Sequence, residues 1–100
     1  MKTVTVCGSM RFAEAMKNIA FELETRHNFN VIQCTYNESE KKITETEKEN
    51  LVKAHYRKID ISDAIYVVDI DGYIGQSVKE EIEYAKGKGK EIIYHSKFSS

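Results

Sequence analysis

The chain has 100 residues, of which 41% are hydrophobic and 10% aromatic. A chain of this size buries about two-thirds of its unfolded surface, so one globular domain over residues 1–100 is expected rather than disorder. Its 15 Lys and Arg against 16 Asp and Glu give a formal net charge of −1, which argues against a nucleic-acid polymer as partner and leaves a single nucleotide open.

The first half of the chain predicts a strand, a helix and a second strand. Thr3–Cys7 is β-branched and precedes a glycine, which is typical of a buried strand. Residues 31–36 have the pattern of a second strand, whereas residues 37–50 are almost entirely polar and leave open a loop, a frayed helix or both. The helix between the strands begins after Ser9, its predicted N-cap, and has one apolar stripe. That stripe consists of Phe12, Met16, Ile19, Ala20 and Leu23.

The second half predicts two further helices and two further strands. Apolar spacing indicates a helix over residues 51–60, and the apolar run at 64–69 is typical of a strand covered on both faces. A loop at 71–76 leads into a helix over 77–88, which ends before Gly89, and a strand follows at 91–95. Alternating strands and helices predict an α/β fold of flavodoxin or Rossmann type. The expected sandwich has three layers, with a parallel sheet of four strands, or five, between helices on both faces.

Cysteine usage and the N-terminal segment bear on location. Cys7 and Cys34 fall in apolar stretches, so both are expected as free thiols rather than as a disulfide. The N-terminal segment has no apolar run long enough for a signal peptide, and no stretch approaches membrane-spanning length. A cytoplasmic protein without a membrane partner is expected. The histidines lack metal-ligand spacing, and neither a metal nor a cofactor is predicted.

Two loops are expected at the ligand-binding edge of this sheet. In parallel sheets ligands bind beyond the carboxyl ends of the strands, where the strand order switches. The turn formed by Gly8, Ser9, Met10 and Arg11 follows the first strand and places backbone N–H groups, a hydroxyl and a guanidinium at a helix N-terminus. Such an arrangement suits an anion. In the loop after the third strand, Tyr73 either stacks on a base or is an ordinary loop aromatic.

Three carboxylates are candidates for chemistry. Glu81 lies at the border between the core-facing and solvent-facing sides of its helix, where a carboxylate can be partly desolvated. Pairing with Lys79 or Lys86 at the surface is the competing interpretation of this position. Asp69 and Asp71 flank the end of the third strand, where aspartate is common in turns. Beside Glu81 either of them would supply the second carboxylate, about 5 Å away, that retaining glycoside chemistry requires.

Three short segments carry a family resemblance. They are the run from Cys7 to Phe12, the run from Gly72 to Ser77, and Glu81-Ile82-Glu83-Tyr84-Ala85. Together they resemble the nucleoside 2-deoxyribosyltransferase superfamily. The turn over residues 8–11 is most similar to the phosphate-facing turn of the 2′-deoxynucleoside 5′-phosphate N-hydrolases. Members of the superfamily cleave or exchange the N-glycosidic bond of 2′-deoxynucleosides or their monophosphates.

The resemblance implies roles for individual residues. Glu81 corresponds to the family nucleophile, and Asp69, with Asp71 as a competing alignment, corresponds to the aspartate that binds the sugar and assists proton transfer. The positions matching the family's phosphate contacts are Ser9, Arg11 and Ser77. The remaining substrate-binding candidates lie in the same loops and are Gly8, Met10, Gly72, Tyr73 and Gly75. The implied partner is a small nucleoside or nucleotide.

The expected function is therefore cleavage or transfer at an N-glycosidic bond through a covalent glycosyl intermediate on Glu81. The alternative is a non-catalytic nucleotide-binding or sensor domain of the same fold. Two departures from the family favour this alternative. Glu83 stands where the family has glycine, and the pattern lacks the fifth strand that family members generally have. Phosphoacceptor receivers need an acidic pair just after the first strand, where this chain has Cys7 and Gly8. Flavin carriers need a longer hydroxyl-rich loop there, and this chain offers only Ser9, so the sequence disfavours both classes. A homodimer or higher homo-oligomer is expected from the resemblance and from Phe21, which falls opposite its helix's apolar stripe.

Overall fold

The computed structural model describes residues 1–37 and 42–98. Strands and helices alternate along the chain as the sequence predicts, and a short C-terminal helix follows the last strand. Two short 3₁₀ helices, Met10–Phe12 and Ile70–Gly72, follow the first and third strands. In chain order the other elements are β1 (Thr3–Cys7), α1 (Ala13–Arg26), β2 (Asn30–Ile32), α2 (Glu45–Asp60), β3 (Ala64–Val67), α3 (Gln76–Gly87), β4 (Glu91–Tyr94) and α4 (His95–Phe98).

The four strands form one parallel sheet in the order β2-β1-β3-β4. This order and the helices confirm the predicted flavodoxin- or Rossmann-like α/β fold. The strand order reverses direction between β1 and β3, whose pairing runs from Val4–Ala64 to Cys7–Val67. The segments that leave these two strands therefore start side by side at the same edge of the sheet.

The sheet has an apolar core on each face. Val4 and Val6 of β1 pack on the face covered by α1, whose predicted stripe supplies the buried Met16, Ile19, Ala20 and Leu23. On the opposite face, Cys7 belongs to a cluster with Ile59 of α2 and Ile82 of α3. All four residues of β3 are buried, as expected for a central strand covered on both sides.

Two strands end earlier than the sequence predicts. β2 ends at Ile32 because it is an edge strand, paired with β1 only from Thr3–Asn30 to Thr5–Ile32. The apolar side chains beyond it, Cys34 and Tyr36, pack against the α1-side core without strand pairing. β3 ends at Val67 because the chain turns into the 3₁₀ helix that follows.

The polar segment before residue 51 contains the beginning of α2. Thr44 and Glu47 form a capping box, in which Thr44 Oγ1 accepts from the Glu47 N–H at 3.0 Å and Glu47 Oε1 accepts from the Thr44 N–H at 2.8 Å. This cap starts the helix at Glu45, well before its first apolar residue. Residues 38–41 of the segment lie outside the described residues.

The last described residues, His95–Phe98, form α4. Phe98 contacts the rings of His27, Phe29 and Tyr66, with centroid distances of 4.9, 5.8 and 5.6 Å. This ring cluster fixes α4 against the α1 side of the sheet.

Within residues 1–37 and 42–98, no helix combines the length and apolarity needed to cross a membrane. Phe21 is 69% exposed on α1, and the predicted homo-oligomer stays a prediction.

Gly8 is the point at which β1 turns towards α1, and it has no room for a side chain. A Cβ at this position would overlap Met16 Sδ and lie 3.2 Å from Val68 Cβ. Because Met16 and Val68 are fully buried, they have little space to move aside.

Replacement of Gly8 by alanine should therefore lower the free energy of unfolding by about 1–3 kcal/mol, the usual cost of overpacking a core. Gly87→Ala is the matched control, because a Cβ there meets nothing within 4 Å and should change stability by no more than about 1 kcal/mol. Urea denaturation of the two variants measures both effects. Equal stabilities would contradict the close packing at Gly8.

Candidate active site

A cavity of about 520 Å³ opens at the edge of the sheet beside the ends of β1 and β3. The turn after β1, the segment after β2, helix α2 and the start of α3 form its walls. Its volume is in the usual range for small-molecule sites, about 300–1,000 Å³. The cavity lies where the strand order predicts a ligand site.

The structure brings most of the predicted site residues to this cavity. Those that line it are Gly8, Ser9, Met10, Tyr73, Gly75, Ser77 and Glu81. Four predicted site residues are not among the residues that form its walls, and these are Arg11, Asp69, Asp71 and Gly72. The two loops and Glu81 thus share one site, whereas the second predicted carboxylate does not.

Glu81 contacts His55 rather than the surface lysines. Oε1 of Glu81 lies 3.1 Å from Nε2 of His55, and the two side chains are only 15% and 13% exposed. Nδ1 of His55 is buried and has no hydrogen-bond partner among the described residues. We therefore assign the proton to Nε2, which can donate it to the carboxylate, since a proton on Nδ1 would be buried without an acceptor.

Cys7 completes a three-residue cluster with His55 and Glu81. Its Sγ lies 3.4 Å from Nε2 of the histidine, and its side chain is buried at the end of β1. Burial first, and then the Glu81 carboxylate, raise the pKa of the Cys7 thiol well above its ordinary value. Cys7 is therefore a protonated thiol at neutral pH rather than a nucleophile. Both cysteines are free, as the sequence predicts.

Packing between α2 and α3 holds His55 against Glu81. The rings of Tyr56 and Tyr84 meet edge to face at 4.6 Å, and the Tyr84 hydroxyl donates to Asp60 Oδ1 at 2.5 Å. Tyr56, the neighbour of His55, also lines the cavity. Desolvation, followed by the nearby Glu81 charge, raises the pKa of Tyr56. The two helices thus form a wall with several fixed contacts around the carboxylate.

The sequence contained a signal for His55 that the apolar pattern alone did not reveal. Leu51, His55 and Ile59 are spaced by four residues and occupy the inner side of α2, whereas Ala54 of the predicted apolar set is exposed. A polar residue within a core-facing stripe indicates a specific side-chain contact, because burial of a polar group requires a hydrogen-bond partner. Here the partner is Glu81.

Asp69 forms its hydrogen bonds with Ser96, which does not line the cavity. Its Oδ1 accepts the backbone N–H of Ser96 at 2.8 Å, and its Oδ2 accepts the Ser96 hydroxyl at 2.6 Å. Asp69 is 8% exposed and joins the end of β3 to the start of α4. Asp71, the competing candidate, is exposed on the adjacent turn and has a left-handed backbone with φ of 56°. The structure therefore brings neither aspartate beside Glu81.

Arg11 contacts an aromatic ring, and Ser77 is not the N-cap of its helix. The Arg11 guanidinium lies 3.9 Å from the centre of the Tyr73 ring, a cation–π contact beside the cavity. The side chain of Ser9 caps the 3₁₀ helix by accepting the Arg11 N–H at 3.4 Å. The N-cap of α3 is Gly75, which offers no side-chain cap, and Ser77 lies inside the first turn. The first N–H groups of α3 thus meet the cavity without a capping side chain.

No family model, curated protein or solved structure matches the chain. Fold and site together define a parallel α/β domain with a ligand-sized cavity and a partly buried glutamate. The function has to be inferred from this chemistry.

The Asp69 carboxylate also acts on Tyr66, and this gives a pH prediction. Desolvation, and then the Asp69 and Glu22 charges, raise the pKa of Tyr66 from 10.0 to about 12. The folded protein therefore keeps this proton over a pH range in which the unfolded chain releases it. Since the folded state then binds more protons, stability falls as the pH rises from 10.0 towards 12.

A Tyr66→Phe variant should lose less stability than the wild type over this pH range. The variant should have a lower free energy of unfolding than the wild type at every pH, because it loses the hydrogen bond between the Tyr66 hydroxyl and His95 Nδ1, which lie 2.6 Å apart. The measurement is the slope of the unfolding free energy against pH from denaturation curves. Identical slopes for the two proteins would be the contrary result.

Proposed function

We propose that this protein cleaves or transfers the N-glycosidic bond of deoxynucleosides or their 5′-monophosphates, with Glu81 as the nucleophile. The observation that carries this proposal is the partly buried Glu81 carboxylate, hydrogen-bonded to His55 at the wall of a nucleotide-sized cavity. A carboxylate placed in this way is oriented for attack and shielded from most of the solvent. The family resemblance of the segment around Glu81 supports the same assignment.

The reaction proceeds in two displacements. An oxygen of Glu81 bonds to the anomeric carbon as the carbon–nitrogen bond breaks, and the base leaves with that electron pair and takes up a proton. Water or a second base then attacks the same carbon, loses a proton to solvent and releases the carboxylate. His55 positions Glu81 for the first step and stabilises the carboxylate charge as it is regenerated in the second. The proton for the leaving base comes from solvent or from the cavity wall, since Asp69 is bonded to Ser96.

A 5′-phosphate would bind between the two loops. The hydroxyls of Ser9 and Ser77 line the same cavity, and the uncapped N-terminus of α3 contributes N–H groups and a favourable dipole. Tyr73 forms part of the same wall, and a base would stack on the ring face opposite the Arg11 guanidinium. These features favour a nucleoside monophosphate over a free nucleoside.

Replacement of Glu81 by alanine or glutamine should abolish base release from 2′-deoxynucleoside 5′-monophosphates, because neither side chain can form the glycosyl ester. Chromatographic assay of free base measures the effect, and intact-protein mass spectrometry detects the deoxyribosyl adduct in the wild type only. Activity retained within about tenfold, which is 1.4 kcal/mol of barrier, would exclude Glu81 as the nucleophile.

The matched control for this change is Glu83→Gln on the same helix. Glu83 is 77% exposed and pairs with Lys86 at 3.8 Å, away from the cavity. Its loss should leave base release unchanged. A similar loss of activity in both variants would indicate a general effect of charge on α3.

The two serines should distinguish monophosphates from nucleosides. Ser9→Ala and Ser77→Ala should each raise KM for a 5′-monophosphate by about ten- to hundredfold, as expected for a lost hydrogen bond to a charged group. The same variants should leave KM for the free nucleoside unchanged, so each serves as its own control. Equal changes for the two substrates would place the phosphate elsewhere.

The second candidate is a non-catalytic nucleotide-binding domain, and the position of Asp69 favours it. With both Asp69 oxygens bonded to Ser96, the cavity has one catalytic carboxylate candidate fewer than the family pattern implies. A nucleotide that raises the unfolding temperature while no base is released over hours would support this candidate. Base release that depends on Glu81 would exclude it.

A further inference from the structure

Three metal-ligating side chains from three separate elements meet beside the cavity. Cys7 ends β1, His55 lies on α2 and Glu81 lies on α3, and their ligand atoms are all within 4.8 Å of one another. These residues are far apart in the sequence, which is why spacing along the chain indicated no metal site. The fold alone creates the cluster.

The distances between these atoms are close to those of a tetrahedral zinc site. Zinc bonds of about 2.0–2.3 Å to nitrogen, oxygen and sulfur place neighbouring ligand atoms about 3.3–3.6 Å apart. Nε2 of His55 lies 3.1 Å from Glu81 Oε1 and 3.4 Å from Cys7 Sγ. The ligand atoms of Cys7 and Glu81 lie within 4.8 Å of each other, so the carboxylate has to move towards the thiol to close the set around one ion.

We propose that Cys7, His55 and Glu81 bind a Zn²⁺ ion, with the fourth coordination position facing the cavity. A thiolate, an imidazole and a carboxylate together suit zinc, whereas magnesium and calcium prefer oxygen ligands alone. His55 and Glu81 line the cavity, so an ion can enter through it and bind water or a ligand group at the open position. Three protein ligands and one open position are typical of catalytic rather than structural zinc.

Binding requires two proton movements. The Cys7 thiol releases its proton to solvent as the thiolate bonds to zinc, so affinity should increase with pH. His55 must present the lone pair of Nε2 to the ion and carry its proton on Nδ1. No described residue accepts a hydrogen bond from Nδ1, and the loss of such an outer contact costs about 10–100-fold in affinity. The expected site is therefore reversible and weaker than a structural zinc site.

Zinc would change the chemistry of the cavity. A carboxylate bonded to zinc cannot also attack an anomeric carbon, so the ion would inhibit glycosyl transfer, a consequence that rests on the proposed function. The binding site itself does not rest on it, since it follows from the three ligands alone. Binding is therefore tested by a spectroscopic measurement that does not depend on activity.

The test is titration of the full, chelator-treated and reduced chain with Co²⁺, which replaces zinc and absorbs light differently with each ligand set. The wild type should develop a thiolate-to-cobalt band in the near ultraviolet and visible bands of tetrahedral cobalt, and Zn²⁺ should remove both. Cys34→Ser is the matched control and should keep the full spectrum. Cys7→Ser should lose the thiolate band.

A second variant covers the case in which Cys7→Ser fails to fold. His55→Gln retains the thiol and should lower Co²⁺ affinity at least about tenfold, with folding checked by circular dichroism. The absence of a thiolate band in the wild type would overturn the proposal. A band that survives in Cys7→Ser or disappears in Cys34→Ser would also overturn it, because the ligand would then be Cys34. Glycosidase activity has no part in any of these outcomes, so this proposal and the proposed function can fail separately.

Discussion

The parallel pairing of β1 with β3 determines where the chemistry of this protein lies. Because two central strands run side by side in the same direction, the turn that begins at Gly8 and the loop that follows Val67 leave the sheet together. Helix α3 follows that loop and carries Glu81 in its second turn. The contact between α2 and α3 then supplies His55. Without the switch in strand order, these groups would belong to separate surfaces.

The walls of the cavity make different contributions. The turn after β1 and the start of α3 offer hydroxyls and backbone N–H groups, which are suited to a negatively charged group. The α2–α3 side has the partly desolvated Glu81 carboxylate and the His55 imidazole, and the buried Cys7 thiol of β1 lies next to them. Asp69 lies outside these walls, and its two hydrogen bonds hold Ser96 in the last helix. A ligand in the cavity would therefore meet N–H and hydroxyl donors at one end and the Glu81 carboxylate at the other.

The sequence predicted the architecture well because apolar periodicity reports directly on burial. The stripe of α1 and the continuous run of β3 each match the faces that are covered in the structure. The end of β2 was wrong because edge pairing rather than hydrophobicity decides it. The end of α2 at Asp60 was predicted correctly, but its start, in a segment left open between loop and helix, depends on a capping box. Glu81 could be chosen from its helical position, but its partner could not, since His55 depends on how two distant helices pack. Asp69 was assigned to the site from its position after β3. The direction of its side chain depends on its hydrogen bonds to Ser96, a contact that the sequence pattern did not indicate.

The close contact between Gly8 and Met16 has a further consequence for ligand recognition. A turn without a side chain, pressed against a fully buried methionine, cannot shift unless the core of α1 repacks. Its N–H groups are thus held in one arrangement before a ligand arrives, and little conformational entropy is lost when it binds. The shape of this cavity-lining turn is in this sense set by the hydrophobic core, and substitutions inside α1 would change the cavity without altering any residue that lines it.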